Sequence, residues 1–472
     1  MSISKIVLNT IYYGVIPKLS MLISIVILPL TTPFLTTYDY GITGIVSSYT
    51  SFISCIAPLG LNLYLTNSFY EVPNRYNLVW GRVLFCFIIS GIIFGLISIF
   101  VLYIALSNLS IWESIFVAIL GSLPVFLFAN NILAQHLFPL LGKPLPLVLT
   151  NLTASCLSIL ISFILIYFLK LGYWGMLIGS SVSCIVTYVA FVKQIWFKYN
   201  IYPIIKLKYK RLREMLVASL PLVPHTLGFI LLSSSSRIIM NLYNISYDEI
   251  GLFSHGCIMG DYIVIITTAL TTALVPQMQT SYRQGNYIRY RNLYYLCQGV
   301  ALVSSFLICI WMKEIYNILI HNENLKQSVS IATLTCFTQV LMPLYNFMSV
   351  SAFVERRTKQ LLWLVFIPGT LNITICCLFI PIYGYSVAIY SALISYWCQI
   401  IMPIVIPYFK DKTSLWFGKK TKLLGILLIA LGALIIGNYL SVCPYVYKIL
   451  ISIICISFSV ITFYKNKLIQ VI

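Results

Sequence analysis

Five ionisable side chains inside apolar stretches of this chain could do chemistry: Lys18, His225, Arg237, His255 and Asp261. A charge at mid-bilayer depth costs roughly 2.5–3.5 kcal/mol even on insertion scales, so such residues face a bundle interior or a water-filled cavity. Their types define the chemistry open to them. Lys18 and Arg237 can hold an anion, and a guanidinium forks onto phosphate or carboxylate oxygens bidentately. Asp261 can hold a monovalent cation or a proton, and His225 titrates near neutrality. No HExxH, GxSxG, phosphate-binding loop or usefully spaced carboxylate pair occurs, so no catalytic residue or cofactor site is expected. The 13 cysteines are scattered through apolar runs without CxxC spacing. They are expected to act as small hydrophobes, with no metal site and no disulfide.

The elements that must position these residues are membrane helices. Hydrophobic residues make up 60% of the 472 and charged residues only 9%, with a mean hydropathy of +0.95. A soluble domain carries about 25% charged residues, so an all-α polytopic membrane protein is predicted. The N-terminal stretch lacks a signal-peptide cleavage site and leads into a long apolar span. With ~20 apolar residues per span, about fourteen segments appear: 8–33, 42–65, 82–106, 112–136, 145–169, 172–195, 215–241, 250–276, 293–312, 328–353, 361–382, 385–408, 423–441 and 446–464. Twelve is the alternative, if the last pair is peripheral. The alternating pattern of an outer-membrane barrel is absent.

Charge sets the expected orientation. With both termini in the cytoplasm, about 23 of the 30 Lys and Arg lie on the cytoplasmic side and about 4 on the other. The opposite loops are short and hold Asp39, Glu113, Asp248, Glu249, Glu314 and Glu323. The net charge of +19 is thereby a topology signal plus an attraction to membrane lipid headgroups, and no nucleic acid is needed to explain it.

In this layout Lys18 lies ~15 Å into the first span, at ~1.5 Å per residue. It either reaches back to the headgroups or lines a cavity. His225 takes the corresponding place in the seventh span, either packing beside Pro224 or coupling a proton. Asp261 is expected near the midplane, neutralising Lys18 or His225, binding a coupling ion, or both. Arg237 lies ~6 Å from the outer end of its span, within snorkelling reach of the interface. The "SSSS" of 233–236 covers a whole helical turn with hydroxyls and calls for water or protein around it. Arg237 is therefore read as lining an outer cavity near His255.

The first and seventh spans also resemble each other. Pro17-Lys18 matches Pro224-His225, and Tyr38-Asp39-Tyr40-Gly41 matches Tyr247-Asp248-Glu249-Ile250-Gly251 with one insertion. Two six-helix halves related about the membrane normal are expected, namely lobes at 1–197 and 215–409. A basic linker at 198–214 joins them, and two additional helices occupy 410–472.

The stretches "SLPLVPHTLGFILLSSSSRIIMNLYNISYDEIGLFSHG" and "TTYDYGITGIVSSYTSFISCIAPLGLNLYLT" resemble those of O-antigen and capsule repeat-unit flippases of the Wzx type. These belong to the multidrug/oligosaccharidyl-lipid/polysaccharide exporter superfamily. Two departures stand out: Ser236 occupies a position often acidic, and no Arg follows Leu59-Gly60-Leu61. The resemblance implies two lobes around a central cavity, alternating access, and a bacterial inner-membrane location. It implies an undecaprenyl-diphosphate-linked oligosaccharide as substrate, with a polysaccharide polymerase and a chain-length regulator as partners. Lys18, Arg237 and His255 would then bind substrate, and Asp261 and His225 would couple an ion. The alternatives are a cation-coupled multidrug antiporter of the same superfamily and a polysaccharide polymerase. The polymerase would normally carry a large external loop, which is absent.

Overall fold

A computed structural model describes residues 16–73, 75–205, 209–220, 223–355, 357, 359–410, 412 and 421–465. These residues are overwhelmingly helical and include no β-strand. A helix closes its own backbone hydrogen bonds, which is what an apolar chain in hydrocarbon requires. Among the described residues, ten helices are long and apolar enough to cross a membrane, and three shorter apolar ones accompany them.

The chain divides into two compact units, one of residues 1–230 and 237–251, the other of 231–236 and 252–472. The first holds α1 (Ile16–Thr31), α2 (Thr37–Ile56), α3 (Asn62–Glu71), α4 (Tyr76–Ala105) and α5 (Ile111–Phe126). It continues with α6 (Phe128–Leu140), α7 (Pro144–Tyr167), α8 (Tyr173–Val192) and the basic α9 (Tyr209–Ser219). Two short helices, α10 (Val223–Ser233) and α11 (Ser235–Leu242), follow, and α12 (Tyr247–Asp261) begins within this unit and ends in the other. The second unit adds α13 (Ile263–Arg283), α14 (Tyr287–Leu319), α15 (Val329–Thr338), α16 (Met342–Val354), α17 (Lys359–Tyr383) and α18 (Val387–Cys398). It closes with α19 (Thr421–Leu440) and α20 (Tyr445–Lys465).

Each unit has an aromatic core. In the first, Trp80, Phe87, Phe138 and Phe191 are fully buried, and the Trp80 indole donates to the Leu65 carbonyl at 3.2 Å. In the second, Tyr290 stacks on Phe347 with centroids 4.1 Å apart. The outward faces are apolar instead of charged, as with Ile92, Leu96 and Phe100 on α4 and Leu450, Ile454 and Phe458 on α20. Unbroken exposed apolar belts of this kind belong in lipid. The chain is a multi-pass membrane protein.

The internal repeat appears at one crossing inside the first unit. Thr36 caps α2 with a capping box closed by Asp39. Ser246 caps α12 likewise, its hydroxyl donating to Glu249 at 3.0 Å while the Glu249 amide donates back at 3.3 Å. Between these starts, Gly41 lies against the Tyr247 carbonyl and Gly251 against the Thr37 carbonyl, each too close to admit a Cβ. The contacts are reciprocal, as a pseudo-two-fold relation demands. They also correct the sequence alignment: Thr36 corresponds to Ser246, Asp39 to Glu249 and Gly41 to Gly251, with no insertion. Thr37 further donates to Asp248 across the crossing.

Helix interruptions repeat too. α2 gives way to α3 through Leu59 and Gly60, with φ of 52° and 71°. Gly60 both adopts a left-handed backbone and lies against the Ser219 carbonyl, so only glycine serves there. The corresponding α12 also breaks, into α13 at Asp261 and Tyr262, about two turns earlier than the Leu59-Gly60 break in that register. α5 and α6 part at Leu127, and α15 and α16 at Gln339–Leu341.

Candidate functional site at the α12–α15–α18 interruptions

Gly256 and Gly260 stand one turn apart in "HGCIMG", the small-xxx-small spacing that lets membrane helices approach. Gly260 lies against the Ala332 carbonyl and the Thr335 side chain, and Gly256 against Ile331. α12 is thereby pressed onto α15, and this contact fixes the residues on either side, His255 and Asp261.

Asp261 ends α12 half-buried. Its Oδ1 accepts from Gln339 Nε2 at 3.4 Å. Gln339 opens the 3-10 turn Gln339–Leu341 that interrupts α15 and α16. Tyr396 feels the Asp261 charge and is hydrogen-bonded by Gln339. The Trp397 indole, next to Tyr396, donates to the Phe337 carbonyl at 3.1 Å and ties α18 down. One carboxylate thus sits where α12, α15 and α18 all end. Discontinuous helices around an acid are a recurrent way of building an ion site in transporters. The Gln339 amide thus meets both the Asp261 carboxylate and the Tyr396 hydroxyl, an arrangement able to hold a transferable proton or a monovalent cation at the carboxylate. Among the described residues no group of three His, Cys, Asp or Glu side chains could hold a metal.

The other sequence candidates fall in different places. His255, six positions before Asp261, is 1% exposed. Its Nδ1 pairs with the Ser328 hydroxyl at 2.7 Å, Ser328 meets the Tyr316 hydroxyl at 2.9 Å, and the imidazole stands edge-on to Tyr316. This is an enclosed network joining α12, α14 and the turn before α15. His225 belongs to the first unit, half-buried and edge-on to Phe229 with centroids 5.7 Å apart. Arg237 is half-buried in α11, also within the first unit. Lys18 lies in α1, and its side chain falls outside the described residues.

The serine run has a structural partner that sequence reasoning did not anticipate. Ser234, Ser235 and Ser236 are all buried. Asn372 of α17, 0% exposed, donates through Nδ2 to the Leu231 carbonyl and to Ser235 Oγ, both at 3.0 Å. Its Oδ1 accepts from Ser391 of α18 at 2.7 Å. Hydroxyls and one amide therefore satisfy the break between α10 and α11, and protein encloses Ser234, Ser235 and Ser236 while Ser233 stays exposed. The only sequence signal was a lone Asn in the apolar "GTLNITICC".

Residues 6–281 match the family model described as polysaccharide biosynthesis protein, more than half of the chain. The chain belongs to that family. No curated protein matches it. Among solved structures it is similar to an inward-facing multidrug resistance MATE family transporter of the MOP superfamily. That likeness has a TM-score of 0.63 and 14% identity, over 85% of this chain and 96% of that one. It is also similar to a complex of the MATE multidrug transporter DinF-BH, with a TM-score of 0.61 and 16% identity over 88% and 97% of the two chains. The straight conformation of a MATE protein gives 0.57 at 14% identity over 88% and 97%. At these identities the likeness establishes the fold: this family member has the fold of MATE transporters.

Proposed function

We propose that the protein is a flippase that carries undecaprenyl-diphosphate-linked oligosaccharide repeat units across a bacterial inner membrane for surface polysaccharide synthesis. The observation that carries this reading is the pairing of polysaccharide-biosynthesis membership with a transporter fold on a chain that is nearly all membrane helix. Such a chain moves a substrate rather than transforming it. Both termini lie in the cytoplasm. The six-helix lobes at 1–197 and 215–409, joined by the linker at 198–214 and flanked by the helices of 410–472, alternate access to a cavity. Lys18 and Arg237 hold the diphosphate or acidic sugars while the polyprenyl tail stays in lipid. Asp261 with Gln339 and Tyr396 couples an ion, and His225 serves proton exchange. His255 supports this set through its bond to Ser328. A polysaccharide polymerase and a chain-length regulator receive the product.

A multidrug antiporter is the second reading, and the multidrug transporters of like fold favour it. Gene deletion separates the two. In intact spheroplasts of the deletion strain, single lipid-linked repeat units should accumulate out of reach of a non-penetrating glycan-cleaving probe. Units accumulating within reach would indicate a polymerase, and no accumulation would indicate the antiporter.

A further inference from the structure

The first unit contains a cavity of about 320 Å³ that the candidate site residues do not touch, lined chiefly by Tyr49, Ala105, Asn108, Asn241, Leu242 and Asn244. It is at the small end of the roughly 300–1,000 Å³ range of ligand sites. We propose that this cavity binds one uncharged sugar residue of the transported glycan, an inference that rests on the flippase reading.

The lining excludes charged ligands and favours a polyol. No charged side chain belongs to it. α4 and α11 both end at its wall, at Ala105 and Leu242, and helix C-termini repel anions through their outward carbonyls. The lipid diphosphate and acidic sugars therefore have no place here. Its polar groups are three amides, a serine and a phenol, each able to donate and accept. Asn241 is already oriented: its Oδ1 accepts from the Tyr49 hydroxyl at 3.1 Å, and its Nδ2 donates to the Ala105 carbonyl at 3.0 Å. That leaves one lone pair and one N–H of the amide to meet vicinal hydroxyls. Val101, Ile104 and Leu242 add an aliphatic wall for the C–H face of a pyranose ring. Asn244 sits on the turn with φ of 54°, a left-handed backbone that asparagine tolerates.

The test uses the full-length protein in detergent and saturation-transfer NMR with methyl glucoside, methyl N-acetylglucosaminide and glucuronate. The neutral glycosides should receive saturation and glucuronate should not. The signal should fall at least fivefold in Asn108→Ala, which removes an amide, and in Ala105→Leu, which fills the space. Should either variant melt early, Asn244→Ala on the turn provides the same comparison. Full signal in the variants, equal signal from glucuronate, or no signal in the wild type would overturn the site. A complementation arm tests the two readings apart. If deletion leaves surface polysaccharide intact, the flippase reading fails while the NMR still judges the cavity. If wild type restores polysaccharide and both variants restore it fully, the cavity alone fails.

Discussion

Replacing Asn372 with Leu keeps the side-chain volume in α17 and deletes the amide that binds the broken seventh span. Three bonds of 3.0 Å or less are lost: those to the Leu231 carbonyl, to Ser235 and from Ser391. The released hydroxyls keep second acceptors, since Ser391 also reaches the Asn372 carbonyl at 3.0 Å and Ser235 also bonds Leu231. The cost is then the net value of the bonds and not full desolvation of their partners. Inter-helix hydrogen bonds in membranes average about 0.6 kcal/mol with a maximum near 1.7, which gives about 2–5 kcal/mol for the three. At about 2 °C per kcal/mol for a large chain, melting should fall by roughly 4–10 °C. The protein carries its own reporter, because Cys309, Cys336 and Cys376 are buried and free and react with a thiol-sensitive dye only as the unit opens. Ser236→Ala, whose hydroxyl makes only bonds of 3.4 and 3.5 Å, should shift melting by less than about 2 °C. Wild-type melting of Asn372→Leu would refute the view that this amide secures the buried serines 234–236.

At the α2–α12 crossing, Gly41→Ala and Gly251→Ala should each cost about 1–3 kcal/mol through overpacking. Because the contacts are reciprocal, both should lower cross-linking of a Thr37→Cys, Asp248→Cys pair by similar factors in an otherwise cysteine-free background; an effect from one glycine only would contradict the symmetry. Lys448 of α20 is 1% exposed and bonds Glu314 at 2.5 Å and the Ser441 carbonyl at 2.7 Å. Lys448→Met should destabilise by roughly 3 kcal/mol, because it strands a half-buried carboxylate, and Lys448→Met with Glu314→Leu should recover most of this in the same melting assay. Outside the spans, burial pushes the Glu355 carboxyl up, but hydrogen bonds from Lys412, Tyr282 and Tyr408 and the Lys412 charge outweigh it and hold the group below its usual range. A depressed carboxylate stabilises fully above its unfolded pKa of about 4.3 and loses that contribution as pH falls through the folded value. Wild-type melting should therefore be flat from neutral pH to about 5 and fall in stronger acid, with the acid limb shallower in Glu355→Gln, by no more than about 1 kcal/mol for so exposed a pair.

The helices were legible in the sequence because a lipid-facing chain must announce itself by unbroken apolar length. Their interruptions were not. The breaks at Leu59-Gly60 and Gln339–Leu341 are set by which carbonyls and amides neighbouring helices can satisfy, and that information is non-local. The repeat was visible as Tyr-Asp and Gly, yet its register was off by one, because the matching signal was the Thr36 and Ser246 caps rather than the aromatic pair. The outer-loop acids illustrate the same limit. Counted as topology markers, Asp39, Glu113 and Glu249 cap helices, Asp248 bonds Thr37, and Glu314 and Glu323 pair with lysines. Asp261 stood out in the sequence as a carboxylate inside an apolar run, whereas its neighbours Gln339 and Tyr396 depend on the α12–α15 glycine contact that only the folded chain displays.

Translocation itself is the most direct test of the proposed activity. The purified protein would be reconstituted in liposomes holding a polyprenyl-diphosphate-linked oligosaccharide, and the fraction of glycan reachable by an external glycosidase would be followed in time. The account predicts that wild type renders the inner-leaflet glycan accessible, and that Asp261→Asn slows this at least tenfold while remaining folded and inserted. Liposomes with wild-type protein that expose no more glycan than empty ones, under either a proton or a sodium gradient, would contradict it.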